Sequence, residues 1–309
     1  VNDVSISLKT MQYYCAALHY GSISQAAEAS HVAASAIGAA IDQIEEHFQL
    51  TLTIRQRAKG NQPTADGRVM ARQYQALLED YGTVLGDGAE PRPSLSGGLR
   101  VGYYAPVAPA FLPRILTDLM GEDHALTLHL DACDNRAAQD GLRRGEYDVI
   151  LFVSDEAEPW IAFAPLIEAP PYCLLASDHP LAGHASITLD ELAGERLVSL
   201  NRPLVADYYR TLLNRTSQPV QTVAFCNSTE MVRSLVGAQR ACAILNMLPL
   251  TETSYAGDRL VAVPIRDSLP SLTLSVGYQQ GRQRRAVQAF VESCETYFKA
   301  PAAVVCTVP

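Results

Sequence analysis

Two regimes of hydrophobic patterning divide the chain. Over residues 1–85 apolar side chains recur every three or four positions, the period of a helix face. Leu8, Met11, Cys15 and Leu18 form one such stripe, which Gly21 ends. Ser22 stands three residues before Gln25, a capping-box spacing that opens a short Ala-rich helix at about Ile23. A third helix carries Ile37, Ile41, Ile44 and Phe48 on one face. Residues 50–54 alternate as a short strand, and residues 55–63 are polar and turn-like. Residues 64–85 predict a helix about 30 Å long at 1.5 Å per residue. On it Gly67, Met70, Tyr74, Leu77, Tyr81 and Val84 follow spacings of 3, 4, 3, 4 and 3. Such a seam suits a helix lying on its own domain or one packing along a partner helix; its polar and glycine neighbours favour the partner.

Residues 86–94, rich in Gly and Pro, read as a linker. Beyond them short apolar runs alternate with helical stretches, the sign of an α/β sheet. Strands are expected at 99–104, 126–132, 148–153, 172–177, 196–200, 220–226, 242–246, 260–264 and 272–278. Helices are expected at 110–120, 137–144, 203–214, 229–239 and 284–298, the last with Val287, Phe290, Val291, Cys294 and Phe298 inward. No fixed-period repeat or low-complexity tract interrupts this order.

Composition narrows the class. The 309 residues are 48% apolar and 18% charged, enough for sizeable cores and too little charge for a disordered chain. At roughly 100–200 residues per domain, two or three domains are expected. No run of about 18 apolar residues exists to span a membrane. The start, Val1-Asn2-Asp3, lacks a secretory pattern. Seven scattered cysteines, without a Cys-x-x-Cys pair or a His cluster, read as buried reduced thiols in a cytoplasmic protein, with no metal site and no cofactor. The net charge of −9 argues against non-specific coating of nucleic acid, and leaves room for a small binding domain within an acidic chain.

The order of motifs resembles the LysR-type transcriptional regulators over nearly the whole chain. Gly21-Ser22-Ile23-Ser24-Gln25-Ala26-Ala27 matches the family's Gly-Ser-x-Ser-x-Ala-Ala. Ile44-Glu45 stands for Leu-Glu, Leu52-Thr53-Ile54-Arg55 for Leu-Phe-x-Arg, and Thr64-Ala65-Asp66-Gly67 for Thr-x-x-Gly. Further on, Gly145-Glu146-Tyr147-Asp148 resembles the family's Gly-x-x-Asp turn and His179-Pro180-Leu181-Ala182 its His-Pro-Leu-Ala turn. The resemblance implies an all-α winged helix-turn-helix over 1–63, a dimerisation helix and hinge over 64–95, and an effector domain over 96–309. The last would be a two-lobed α/β fold like periplasmic binding proteins, with lobe I at about 96–168 and 266–309 and lobe II at about 169–265. It implies binding to double-stranded DNA as a dimer or tetramer, through Met70, Tyr74, Leu77, Tyr81 and Val84, and contact with RNA polymerase.

In that arrangement Ser22 and Ser24 reach phosphate oxygens or simply cap their helix, and Arg55, Arg57 and Lys59 form a wing on phosphate or a solvated turn. The third helix departs from the family. Its outward positions are Ala34, Ser35, Gly38, Ala39, Asp42 and Gln43, so only Ser35 and Gln43 can donate hydrogen bonds to bases. Gly38 weakens the helix by about 1 kcal/mol relative to Ala. Residues 1–62 hold four basic against five acidic side chains, a balance of −1. Two variants follow: DNA bound mainly through backbone, thymine methyls and shape, or a domain that keeps the fold and has lost much of its affinity.

For the effector cleft, the resemblance selects Tyr104, Ala105 and Pro106 after the first strand, and Ser154 after the third. In lobe II it selects Asn201, Arg202, Asn227, Ser228, Thr229 and Asn246. Asn227 and Ser228 serve equally as helix caps. Arg202, the one cation among them, pairs with an anionic or aromatic-acid effector or faces solvent. An enzyme is the rival class, and Gly-x-Ser-x-Gly, His-Glu-x-x-His, a P-loop and a Rossmann fingerprint are all absent. A secreted solute-binding protein has no use for residues 1–90. The expected mechanism is a population shift, in which effector binding alters lobe or subunit arrangement and the spacing of wings on DNA.

Overall fold

The computed structural model describes residues 6–56, 60–85, 95–106, 108–120, 125–300 and 306–308. The expected 86–94 linker lies outside the described residues.

Three helices, α1 (Leu8–Tyr20), α2 (Ile23–Ala29) and α3 (Ala34–Phe48), are followed by a two-stranded wing, β1 (Thr53–Gln56) and β2 (Gly60–Pro63). Ser7 and Ser22 cap α1 and α2, accepting from Thr10 N and Gln25 N. Ile37, Ile41 and Ile44 are fully buried, as their spacing predicts, whereas Phe48 is 41% exposed. The helix ends at the left-handed turn of Gln49 (φ 53), and Leu52 beyond it is buried in the same core as Ile44. On α1 the buried face centres on Tyr14, Cys15 and Ala17, with Met11 and Leu18 at its flanks, a rotation from the expected stripe. The segment expected to be a loop contains β2, antiparallel to β1 with Thr53 opposite Pro63.

Glu45 explains the Ile-Glu pair. Its Oε1 accepts from Leu52 N (2.7 Å), Thr53 N (2.8 Å) and Thr53 Oγ1 (3.3 Å), fastening the wing to α3. Hydrogen bonds to a charged group contribute about 1.5–3 kcal/mol each, and their loss is not additive. Glu45→Ala is expected to cost the winged unit about 2 kcal/mol. Amide exchange at Leu52 and Thr53 checks it; unchanged protection there would mean that the carboxylate does not hold the wing.

The long helix α4 (Ala65–Leu85) begins on the Thr-x-x-Gly motif. Thr64 Oγ1 accepts from Gly67 N at 3.0 Å and donates to Thr51 O at 2.9 Å. The first turns of α4 complete the helical core, because three short helices leave one side open: Tyr74 is buried and meets Tyr14 edge-on at 5.9 Å. The helix then docks on the sensing half. Arg68 Nε donates to Arg144 O (2.9 Å), Arg72 Nη1 to Tyr147 O (2.6 Å), and Glu79 pairs with Arg284 (3.1 Å). Gly145 (φ +70) ends the turn that receives it; a Cβ there would stand 2.8 Å from Arg68 Cβ. Burial pulls the Arg72 guanidinium down to about 10, with Asp148 opposing, so it stays charged at neutral pH.

The remainder forms two lobes. Lobe I is built on β3 (Ser96–Tyr104), α5 (Leu112–Leu119), β4 (Ala125–Cys133), α6 (Asn135–Arg143), β5 (Val149–Val153) and β6 (Ile161–Ala169). Lobe II follows with β7 (Tyr172–Ala176), β8 (Arg196–Leu200), α7 (Val205–Leu213), β9 (Gln221–Cys226), α8 (Thr229–Gln239), β10 (Cys242–Leu245) and β11 (Leu260–Pro264). The chain returns to lobe I with β12 (Leu272–Gln279) and α9 (Arg285–Lys299). The sheet orders are β4-β3-β5-β12-β6 and β11-β7-β10-β8-β9. In lobe I, β3 runs parallel to β4 and β5 while β12 is antiparallel to β5 and β6. In lobe II, β8 is parallel to β10 and β9 while β7 is antiparallel to β10 and β11. The sequence pattern missed β6. It is an edge strand carrying Pro165 at a register shift, a place where a sheet tolerates proline.

The Gly-x-x-Asp and His-Pro-Leu-Ala turns are structural. Asp148 Oδ2 accepts from Arg100 N at 2.9 Å, fixing the approach to β5. His179 is buried, with Nδ1 accepting from Leu181 N and Nε2 3.2 Å from Glu195.

Candidate DNA-binding face and effector cleft

The exposed side of α3 offers Ala34, Ser35 and Ala39, with half-buried Gly38 between them and nothing within 4 Å of its missing Cβ. Gln43 is not on this face. Its Oε1 lies 3.4 Å from Thr10 Oγ1, turned inward toward α1 because position 43 falls one residue before the buried Ile44. Asp42 and Glu46 are exposed instead, so the second half of the helix surface is acidic. Ser22 is engaged as the cap of α2, and Ser24 is exposed in its first turn. Arg55 lies on β1 in the wing; Arg57 and Lys59 lie outside the described residues.

The seam on α4 does not exist as one free face. Met70 and Tyr74 pack into the core formed with α1, so a partner helix cannot use them without unpacking the domain. Leu77 and Tyr81 are exposed; Val84 is placed here only as part of the helix.

Between the lobes lies a small cavity of about 30 Å³, room for about one water. Tyr104 and Pro106 line it from lobe I, Thr229 and Asn246 from lobe II, and Val153, Leu200, Val205, Met247, Leu272 and Leu274 make the rest apolar. Asn246 is saturated: Oδ1 accepts from Tyr209 Oη (2.9 Å), and Nδ2 donates to Ala169 O (2.9 Å) and Tyr208 Oη (3.0 Å). Three other buried atoms have no partner, namely Tyr104 Oη, Thr229 Oγ1 and Arg202 Nε. The Arg202 guanidinium is half-buried rather than free in solvent, and its Nη1 donates to Asn227 O at 3.0 Å. Burial pushes the Tyr104 hydroxyl well above its ordinary range, with the Arg202 charge opposing, so it is a neutral donor at pH 7.

Other expected residues fall elsewhere. Ser154 faces its own sheet, donating to Thr273 O and accepting from Ser275 Oγ. Ala105 N donates to Cys133 O at 3.4 Å. Asn201, Asn227 and Ser228 border an outer groove with Phe225, Met231 and Tyr255, and Ser228 caps α8.

The sequence reading missed Tyr209, whose hydroxyl fixes Asn246, and a polar pocket of about 660 Å³ beside the cleft. Asn135, Arg136 and Trp160 face Pro203, Leu204 and Asp207 across it, so it is shared by the lobes. Leu204 there has φ 71 and ψ −62, with Val205 N bonded to Pro203 O (3.0 Å). Such a γ-turn stores on the order of 1–3 kcal/mol and concentrates at ligand sites. Its only sequence signal is the proline before the helix.

A winged helix-turn-helix, a long helix and a two-lobed domain with a cleft define a class: DNA-binding regulators that carry a small-molecule-binding domain. Comparison with known proteins gives the family. The LysR substrate binding domain matches residues 92–299, and the bacterial regulatory helix-turn-helix protein of the lysR family matches residues 8–68. The chain therefore belongs to the LysR family of DNA-binding transcriptional regulators, which are non-enzymatic. It is 23% identical over 283 residues to the DNA-binding transcriptional dual regulator OxyR of Escherichia coli, covering 91% of this chain and 92% of the relative. Its fold is similar to that of a full-length OxyR variant from Pseudomonas aeruginosa, with a TM-score of 0.68 and 21% identity over 94% of this chain and 98% of that one. It is also similar to full-length CbnR complexed with its target DNA, with a TM-score of 0.55 and 18% identity over 94% and 99% of the two chains. No helix of the described residues is long and apolar enough to cross a membrane.

Proposed function

We propose that this regulator senses a small carboxylic acid with an apolar or aromatic body in the interlobe cleft and alters promoter activity as a dimer or tetramer. One observation carries the effector class: Tyr104 Oη, Thr229 Oγ1 and Arg202 Nε are buried without partners at or beside an otherwise apolar cavity. An unmade hydrogen bond to a buried donor costs about 1–3 kcal/mol, which a carboxylate accepting from these groups recovers on binding. The free volume holds no more than about one water, so binding of an acid requires the lobes to part or the Pro203–Val205 turn to move.

A thermal-shift panel of short aliphatic and aromatic carboxylic acids, each paired with its amide, tests this. An acid present at 100 times its Kd stabilises by about 2.7 kcal/mol, and its amide by less. Arg202→Ala should abolish the difference between acid and amide. Tyr104→Phe removes a buried unpaired hydroxyl, so it should melt at the same temperature or higher without ligand, yet respond less to the acid. An acid that stabilises all three proteins equally would rule the cleft assignment out.

DNA recognition rests on the wing and on shape, since α3 presents Ala34, Ser35, Gly38 and Ala39 to a groove and no long donor. Alanine replacements of Arg55, Arg57 and Lys59 should weaken binding to the upstream region of its own gene equally for matched and scrambled sequences. Each should lower the slope of log affinity against log salt by about 1. Absence of any shift at low salt, with a folded oligomer present, would favour a domain that has lost its affinity.

A further inference from the structure

A second cavity lies where the long helix meets lobe I. Its volume is about 310 Å³, at the lower end for small-molecule sites. Arg72 lines it from α4, and Asp148, Gln279 and Gln283 line it from lobe I. Both charged groups are half used. Arg72 Nη1 donates to Tyr147 O at 2.6 Å, and Asp148 Oδ2 accepts from Arg100 N at 2.9 Å with Arg100 Nε 3.6 Å away. Arg72 Nη2 and Asp148 Oδ1 are buried without a hydrogen-bond partner among the described residues, and the Asp148 side chain is only 2% exposed. The other arginines of the lining are paired, Arg284 with Glu79 and Arg282 with Asp80. The two glutamines have only acceptors to offer. Gln279 Nε2 is spent on Leu142 O (2.7 Å) and Arg143 O (3.5 Å), and Gln283 Nε2 on Gln279 O and Gly281 O. The lining thus combines one unpaired cationic donor with several acceptors, one of them a carboxylate, and Val69 and Val287 add apolar surface.

We propose that this cavity is a second ligand site, separate from the interlobe cleft, for a small aliphatic amino acid in its zwitterionic form. Its carboxylate accepts from Arg72 Nη2, and its ammonium donates to Asp148 Oδ1 and the glutamine carbonyl oxygens. A molecule with only one of the two charges leaves the other buried atom unsatisfied, so the site prefers the zwitterion to the matching amine or acid. A zwitterion also adds no net charge to a buried contact. Arg72 belongs to the helix and Asp148 to lobe I, so an occupant touches both halves and binds only while they are docked. Occupancy therefore stabilises the docked arrangement by mass action, a route to regulation that does not pass through the cleft.

Hydrogen exchange of the full-length protein with alanine, valine or leucine tests the site, each compared with the amine lacking its carboxylate and the acid lacking its amino group. At about ten times its Kd, a ligand that binds only the docked state slows exchange through undocking about tenfold. That protection is expected in peptides covering 66–80 and 279–287 for at least one of the amino acids, and not for its amine or acid. Asp148→Asn keeps a carbonyl oxygen for Arg100 N and offers the cavity an amide donor, so it should remove the preference for the amino acid over the plain acid. Arg72→Lys keeps the charge and a donor for Tyr147 O but lacks the second nitrogen of the fork, and should raise the Kd about tenfold or more. Protection that survives both substitutions would overturn the proposal, as would an amine or acid that protects equally well. No protection by any of the three amino acids would overturn it too, the cavity then holding water only. The readout lies in α4 and 279–287, whereas the cleft reading is judged by the acid–amide difference lost in Arg202→Ala, so the two fail separately.

Discussion

Gly67→Ala is expected to unfold the winged unit and abolish DNA binding while the two lobes keep their fold. A Cβ at position 67 would stand 2.0 Å from Leu52 O, 3.0 Å from the carbon that bears it and 3.1 Å from Tyr14 Oη. Backbone cannot yield as a flexible side chain would. Leu52 O accepts from Thr64 N (3.0 Å), Leu52 N is held by Glu45, and the Leu52 side chain is fully buried. Gly67 O also accepts from Tyr14 Oη at 3.0 Å, so moving α4 away breaks that bond. Overpacking costs typically 1–3 kcal/mol where side chains adjust; a backbone clash with three fixed neighbours is expected to exceed it, at about 4 kcal/mol. A unit of about 60 residues has little more than that to lose. Exchange protection in α1–α3 together with a DNA titration checks it; a variant that binds DNA normally would show that α4 can shift at no cost.

The second large effect falls on the contact between the two halves. Glu79 Oε1 accepts from Arg284 Nε (3.1 Å) and Oε2 from Arg285 N (3.0 Å), so one carboxylate neutralises a guanidinium and covers the free amide at the start of α9. Arg284 is 8% exposed and also donates to Gly98 O at 2.8 Å, whereas Glu79 is 29% exposed. Removing one partner of a fully buried pair costs about 3–5 kcal/mol; the partial exposure of Glu79 brings the expectation for Glu79→Gln to about 2–3 kcal/mol. Asp80 and Arg282 pair alongside. Loss of this contact should free α4 from lobe I, raising exchange in the second half of α4 and enlarging the particle in small-angle scattering, with the melting of each lobe little changed. If effector binding changes DNA affinity through this contact, Glu79→Gln should also reduce that coupling. Unaltered exchange in α4 would show that Arg68 and Arg72 suffice to dock it.

Much of the fold was legible because its signals are local. The helix starts at Ser22 and the face of Ile37, Ile41 and Ile44 depend on capping and period alone. So do the alternating elements of the lobes. Strand β6 was not legible, because an edge strand with a proline has neither continuous burial nor clean alternation. Phe48 and Gln43 were misplaced by the same limit. Period assigns a face of the helix, but what covers that face depends on where the chain goes after Gln49 and where α1 lies.

The candidate cleft was legible only as a set of loops. The sequence placed Tyr104, Pro106, Thr229 and Asn246 near strand ends and helix starts, and these share one cavity. It could not separate them from Asn201, Asn227 and Ser228, which open on another groove. Nor could it show which polar atoms lack partners, because hydrogen bonding is settled between segments far apart in the chain.

By itself, then, the sequence determined the kind of protein: the ordered motifs, the three-helix and wing unit, the long helix and the alternating domain. Each rests on interactions within a few residues or on one repeating face. Only the tertiary structure decided what those pieces touch. It gave the first half of the long helix to its own domain's core, and it bound that helix to lobe I through Glu79 and Arg284. It left Tyr104 Oη and Thr229 Oγ1 unpaired at a small cavity between the lobes, with Arg202 Nε unpaired beside it. The reason is physical: a sequence states which groups want burial or partners, and only packing in three dimensions decides which of them are satisfied.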